Sequence, residues 1–215
     1  MGTVERIRAA RGGGEVDLLL ADCRLVNVLS GEVHQTSVAV DGGVVVGLGE
    51  GYEARNRVDA GGRFVIPGLI DAHVHTESSM VAVGRFASAV VPRGTTAVVT
   101  DCHEIANVMG VPGIEYIMES AAGVPLDVYV VLPSCVPATP LETSGAVLEA
   151  ADLEPLLDRP GVVGLGEVMN FPGTIAGDPS VVAKLELFAG RPVDGHAPGL
   201  SGRDLCAYIA AGPDS

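Results

Sequence analysis

The chain has no tryptophan, and only four tyrosines and four phenylalanines in 215 residues. A core built from it must be aliphatic, and its many Val, Ala and Gly residues suit tight parallel strands beneath helices. Basic residues are also few. With 13 Lys and Arg against 27 Asp and Glu, the formal net charge is −14, which argues against nucleic acid or an anionic membrane as a partner. Cysteine is sparse and unpatterned: Cys23, Cys102, Cys135 and Cys206 form no C-x-x-C pair and read as reduced thiols of a cytoplasmic protein. No apolar run approaches the roughly 20 residues that span a bilayer. The N-terminus, MGTVERIRAARGGGEVD, lacks the apolar segment of a signal peptide.

What is present falls into three textures. Residues 1–15 form a flexible or helical lead ending in Gly12-Gly13-Gly14. Residues 16–65 are short β-branched runs separated by Ser30-Gly31 and Asp41-Gly42-Gly43, which signal hairpins. They are expected to form a small β domain, or part of one, with His34 in a solvated turn. Residues 66–215 alternate strand and helix at a spacing of about 30 residues, the size of a βαβ unit. Strands are expected at Phe64–His73, Thr96–Asp101, Leu126–Leu132, Val162–Glu167 and Pro192–His196. Ser78 or Ser79 is expected to cap a helix carrying Met80, Val83, Phe86 and Val90. Asp178-Pro179 starts another, stopped by Gly190, and Ser201-Gly202-Arg203-Asp204 reads as a capping box for a third.

Repeated β-then-α order makes an α/β fold with a parallel sheet, open or closed as a barrel. The reactive residues favour the barrel. His73-Val74-His75, Asp101-Cys102-His103-Glu104, Pro133-Ser134-Cys135, Glu167-Val168-Met169-Asn170 and Asp194-Gly195-His196 each follow the end of an expected strand. In a (β/α)₈ barrel those ends share one mouth, so successive units supply one site. About five βα units are visible, a partial TIM barrel.

The stretch FVIPGLIDAHVHTESSM is the chemical centre. Side chains two apart on a strand share a face, so His73 and His75 project together, as a divalent metal requires. Glu167 follows small and apolar positions on its strand, where an unpaired carboxylate is costly to bury. It reads as a metal ligand that bridges two ions through its two oxygens, or else as a salt bridge at the rim. His196, between turns in DGHAPG, reads as a further ligand. His103 is a candidate for a direct role, as ligand of an extra ion, substrate contact or support; the competing reading is that its acidic neighbours simply cap the next helix. Glu77 is a proton carrier or substrate contact, or a cap on the following helix. Asp71 and Asp101 are candidates for orienting a metal-bound imidazole from behind. Cys102 and Cys135 lie near the mouth but lack paired spacing and read as incidental. Three histidines and a glutamate, with no phosphate loop or nucleophile elbow, point to hydrolysis by metal-activated water. A nearby carboxylate moves the proton to the leaving group.

Five stretches carry a resemblance: GLIDAHVHTESSM, GTTAVVTDCHEIANV, LPSCVPAT, GLGEVMNFPG and DGHAPGLSG. From about Val16 to Asp214 the chain resembles the amidohydrolase superfamily and, within it, the adenine deaminases. The resemblance implies a (β/α)₈ barrel beside a β-sandwich. It implies a binuclear Mn²⁺ site, with Fe²⁺ or Zn²⁺ as alternatives, and hydrolysis of adenine to hypoxanthine and ammonia. His73, His75 and His196 match the family's histidine ligands and Glu167 its bridging carboxylate; Glu77 and His103 stand beside them as candidate catalytic residues. The implied partner is a small purine, and the implied state of a full-length protein is a homo-oligomer.

Two departures accompany it. Cys102 stands where proline is expected, and the chain stops short of the family's Asp-His-Glu segment on strand six and its aspartate on strand eight. The expectation is the N-terminal part of such an enzyme, binding metal weakly and with little activity alone. The other readings are an amidohydrolase of a modified purine or cyclic amide, and a non-catalytic fragment or interaction module.

Overall fold

The computed structural model describes residues 2–139 and 141–215. The chain divides into two compact units between Pro67 and Gly68. In the first, helix α1 (Thr3–Ala10) precedes strands β1 (Val16–Asn27), β2 (Glu32–Asp41), β3 (Val44–Leu48), β4 (Ala54–Asp59) and β5 (Phe64–Val65). The strands form one mixed sheet in the order β3-β2-β1-β4, with β5 also on β1. This sheet lies where the small N-terminal β portion was expected. Both hairpins form where glycine allowed them. Asp41 pairs with Val44, and Gly42 and Gly43 between them have φ of +57° and +76°, as a two-residue type I′ turn needs. Ala9 of α1 packs with Val16, Leu19 and Ala39 of the sheet. His34 lies within β2, opposite Leu25, rather than in the turn, and is exposed as expected.

The second unit is a curled, parallel, five-stranded half-barrel. Strand β6 (Leu69–Val74) leads to helix α2 (Val83–Val90), and β7 (Thr95–Asp101) to α3 (His103–Met109) and α4 (Val111–Ser120). Next, β8 (Asp127–Leu132) precedes α5 (Ala150–Leu153), β9 (Val162–Val168) precedes α6 (Phe171–Ala176) and α7 (Pro179–Leu187), and β10 (Val193–Gly195) precedes α8 (Gly202–Ala210). The sheet order is β10-β9-β8-β7-β6. It follows the chain without the reversal that marks a doubly wound sheet. Phe188, Ile114, Leu132, Leu153 and Leu165 are fully buried between sheet and helices, the aliphatic core that the lack of tryptophan required.

Several local expectations are corrected. The strand expected over Phe64–His73 is two strands: Pro67-Gly68 ends the pairing of Phe64–Val65 with β1, and Leu69–Val74 begins pairing with β7. Proline supplies no ladder donor, which explains the break. Leu69 and Ile70 are 52% and 67% exposed, since this strand is bonded along one side. Ser78 and Ser79 do not cap α2; they lie in a 3₁₀ turn (Thr76–Ser79) closed by Met80 at φ +57°, and the cap residue is Ala82. Met80 is therefore exposed instead of facing the core. Asp178 does cap α7, accepting from the Ser180 amide at 2.9 Å. Ser201 makes no side-chain cap for α8.

Candidate metal centre

The ends of β6, β7, β9 and β10 bring the reactive side chains together. His73 and His75 face one way, as alternation requires, with Nε2 atoms 3.3 Å apart. His75 Nδ1 lies 2.8 Å from the Asp101 carbonyl oxygen. A carbonyl only accepts, so Nδ1 carries the proton and Nε2 is left with a lone pair for a cation.

Glu167 sits at the centre. Its Oε1 is 2.6 Å from His196 Nδ1 and 3.7 Å from His73 Nε2. Its Oε2 is 3.4 Å from His75 Nε2 and 3.9 Å from His103 Nδ1. The two carboxylate oxygens thus divide the imidazoles between them. His73, His75 and Glu167 form one group whose donor atoms lie within 4.8 Å of one another, and Asp101, His103 and Glu167 form a second.

The support is buried. Asp101 is 1% exposed, and its Oδ2 accepts the Glu167 amide at 2.8 Å. Gly166 makes this possible, because a Cβ there would overlap the Asp101 carboxylate. The small residues before Glu167 therefore leave room for a second carboxylate. Asp101 Oδ2 also lies 3.3 Å from His103 Nδ1, off the axis of a hydrogen bond, so that Asp101 Oδ1 and His103 Nδ1 are buried without partners. Oxygen and imidazole donors left unpaired at a shared point fit a divalent cation. Burial pulls the His103 pKa down, but the Asp101 carboxylate, with Glu167 and Glu77, outweighs it and the net shift is upward.

The remaining candidates divide. Glu77 Oε1 accepts the Ile105 amide at 3.3 Å, so it caps α3 rather than the helix that follows it. Its Oε2 is buried without a partner, and burial raises its pKa. Asp71 does not orient an imidazole; its Oδ1 accepts the backbone amide of His73 at 3.3 Å, and the residue is exposed. Asp101, the other aspartate named, does touch an imidazole, its carbonyl oxygen lying against His75 Nδ1. Cys102 is the residue before α3, fully buried, and burial drives its pKa well up.

Three contributors were not assigned from sequence. Asp194 Oδ2 lies 3.7 Å from His73 Nδ1, and burial raises its pKa, partly offset by His73. The Ser134 hydroxyl donates to the Glu167 carbonyl. The Tyr208 hydroxyl accepts the His196 amide and donates to the Val168 carbonyl, both at 2.8 Å, tying the ends of β9 and β10. Asp194 was visible as a neighbour of His196. Tyr208 had only its place on the one buried face of α8.

The amidohydrolase family profile matches residues 64–214. The chain belongs to the amidohydrolase family. It is 53% identical over 206 residues to the adenine deaminase of Syntrophobacter fumaroxidans, covering 96% of this chain and 36% of that protein. It is 54% identical over 211 residues to the adenine deaminase of Desulfatibacillum aliphaticivorans, covering 97% and 37%. The chain thus spans just over a third of the length of these curated relatives. It superposes on N-acyl-D-glutamate deacylase from Bordetella bronchiseptica with a TM-score of 0.67 at 20% identity, over 93% of this chain and 49% of that one. N-isopropylammelide isopropylaminohydrolase from Burkholderia multivorans gives 0.54 at 17%, over 91% and 57%. The resemblance carried by the five motifs is borne out, as is the partial barrel.

Proposed function

We propose that this chain carries ligands of a binuclear divalent-metal centre for the hydrolysis of adenine to hypoxanthine and ammonia. The observation that supports it is the division of the Glu167 oxygens, Oε1 toward His73 and His196, Oε2 toward His75 and His103. His73, His75, His196 and Glu167 would hold the ions, with Mn²⁺ the expected metal and Fe²⁺ or Zn²⁺ the alternatives. Bound there, such ions lower the pKa of water toward 7 and supply a nucleophile at neutral pH.

The chain's own groups hold and orient. The Asp101 carbonyl keeps the proton on His75 Nδ1, leaving Nε2 as the ligand atom. Asp101 Oδ2 and the Ser134 hydroxyl fix the backbone on either side of Glu167. His103, whose Nδ1 faces both carboxylates, would offer that nitrogen to an ion and, where no ion occupies it, would hold a proton there. Glu77 fixes the start of α3 and so the position of His103. The adenine reading draws on the two adenine deaminases at 53% and 54% identity. Four free cysteines fit a reducing, cytoplasmic compartment. Among the described residues, no helix is long and apolar enough to cross a membrane.

The test is a chimera. Residues 16–214 replace the matching segment of the S. fumaroxidans enzyme, and adenine loss is followed by absorbance. Turnover is expected, and Glu167→Gln in the chimera is expected to abolish it. A folded, metal-loaded chimera that hydrolyses a cyclic amide but not adenine would overturn the substrate assignment.

A further inference from the structure

Two threonines flank the contact that fixes His75. Thr76 follows His75 in sequence, and Thr100 precedes Asp101, whose carbonyl oxygen lies 2.8 Å from His75 Nδ1. Both threonines are buried, at 1% and 0% exposure. The Thr76 amide donates to Thr100 Oγ1 at 3.3 Å, and the two hydroxyl oxygens are 3.2 Å apart.

The place of these bonds in the chain explains why they are needed. Strand β6 pairs with β7 as far as Val74, opposite Thr100. A 3₁₀ turn then begins at Thr76, with His75 as its cap residue. The first amides of such a turn have no partner within it, and the cap residue's own side chain commonly accepts one of them. His75 makes no such bond; its ring faces the Asp101 carbonyl and Glu167. An amide left unpaired in so buried a residue would cost its full desolvation. The Thr100 hydroxyl supplies the acceptor from the neighbouring strand, and a hydroxyl can do so while sharing a proton with Thr76 Oγ1. The cap is thus provided from outside the turn, and the imidazole is released for an ion.

For His75 the consequence is one of tautomer. The partner of one ring nitrogen decides which nitrogen stays free for a metal. That partner is a main-chain carbonyl, which has no rotatable side chain with which to follow the ring. Alignment therefore depends on holding the two backbones together. The threonine bonds tie them one residue after the imidazole on one strand and one residue before the carbonyl on the other.

We propose that Thr100 is a positioning residue for His75: its hydroxyl caps the turn after β6 from the neighbouring strand, keeping Nδ1 on the Asp101 carbonyl and Nε2 open to a cation. This role rests on the reading of His75 as a metal ligand.

The test follows the tautomer directly. The whole chain is labelled with ¹⁵N-histidine and its ring nitrogens are observed without metal, in mildly alkaline buffer where imidazoles are neutral. Protonated and unprotonated nitrogens resonate far apart, and the signal missing from His75→Gln identifies the ring. His75 is expected to hold its proton on Nδ1. Thr100→Val is expected to mix the tautomers and to weaken Mn²⁺ binding about tenfold, the low end for loss of a supporting partner. Thr100→Ser, which keeps the hydroxyl, is expected to restore both. Should Thr100→Val not fold, Thr100→Ala takes its place. The proposal falls if His75 of the native chain carries its proton on Nε2. It also falls if the folded variant without the hydroxyl keeps either the native tautomer or the native affinity, or if Thr100→Ser behaves like Thr100→Val. A native chain that binds no Mn²⁺ would overturn the metal reading instead, and the tautomer comparison would still decide the role of Thr100.

Discussion

The backbone amide of Glu167 donates to Asp101 Oδ2 across 2.8 Å, joining the ends of two parallel strands 66 residues apart in sequence. The bond binds the central carboxylate to its buried support before any cation is considered. Asp101→Asn keeps an acceptor for that amide and removes only the negative charge. The fold is expected to survive, while affinity for Mn²⁺ falls about 10–100-fold, as measured by competition with a chelating dye.

The Glu167 side chain faces all four of the site's imidazoles. Glu167→Gln keeps its shape and loses its charge. Its loss of affinity is expected to exceed the roughly 10–100-fold typical of removing a supporting partner, and metal analysis after gel filtration should find the variant depleted.

Gly166 gives up its Cβ to the Asp101 carboxylate. Gly166→Ala forces that carboxylate or the strand to move and is expected to cost about 1–3 kcal/mol, as overpacking does. Urea unfolding measures it. An unchanged midpoint would mean that the strands are not held this closely.

The Tyr208 hydroxyl serves the His196 amide and the Val168 carbonyl together. Tyr208→Phe leaves two backbone groups short of a partner and is expected to destabilise by about 1–3 kcal/mol. Because His196 is loosened, metal affinity should fall as well, which separates this role from simple packing.

Saturating Mn²⁺ should raise the unfolding temperature and a chelator should reverse it; at 100 times Kd the added stability is about 2.7 kcal/mol. Ligand imidazoles must be neutral to bind. The metal-dependent increment is therefore expected to shrink as pH falls and protons compete with the cation for the imidazoles, read from melting curves with and without metal.

The periodicities that were legible were the local ones. Alternation about Val74 placed His73 and His75 on one face, Asp178-Pro179 started α7, and Gly42-Gly43 made a tight hairpin. Strand-then-helix spacing carried the parallel sheet and the half-barrel. What escaped depended on contacts far apart in sequence. Of the two aspartates named as supports, nothing near Asp71 reveals that its carboxylate turns to its own backbone while Asp101, on the next strand, meets His75. Glu77 caps a helix 28 residues away, beyond the reach of any local pattern. The break at Pro67 was visible, but that Phe64 and Val65 pair with Arg24 and Leu25 belongs to tertiary structure.

From β7 onward, each strand of the parallel sheet bonds to the one synthesised just before it, so a growing polypeptide adds every new strand to an edge already made. Sheet growth can keep pace with translation, one strand–helix step at a time. The imidazole of His196 emerges more than a hundred residues after that of His73. A cation held by both would therefore find its ligands complete only once β10 has been made, a seal on the scaffold and not its nucleus.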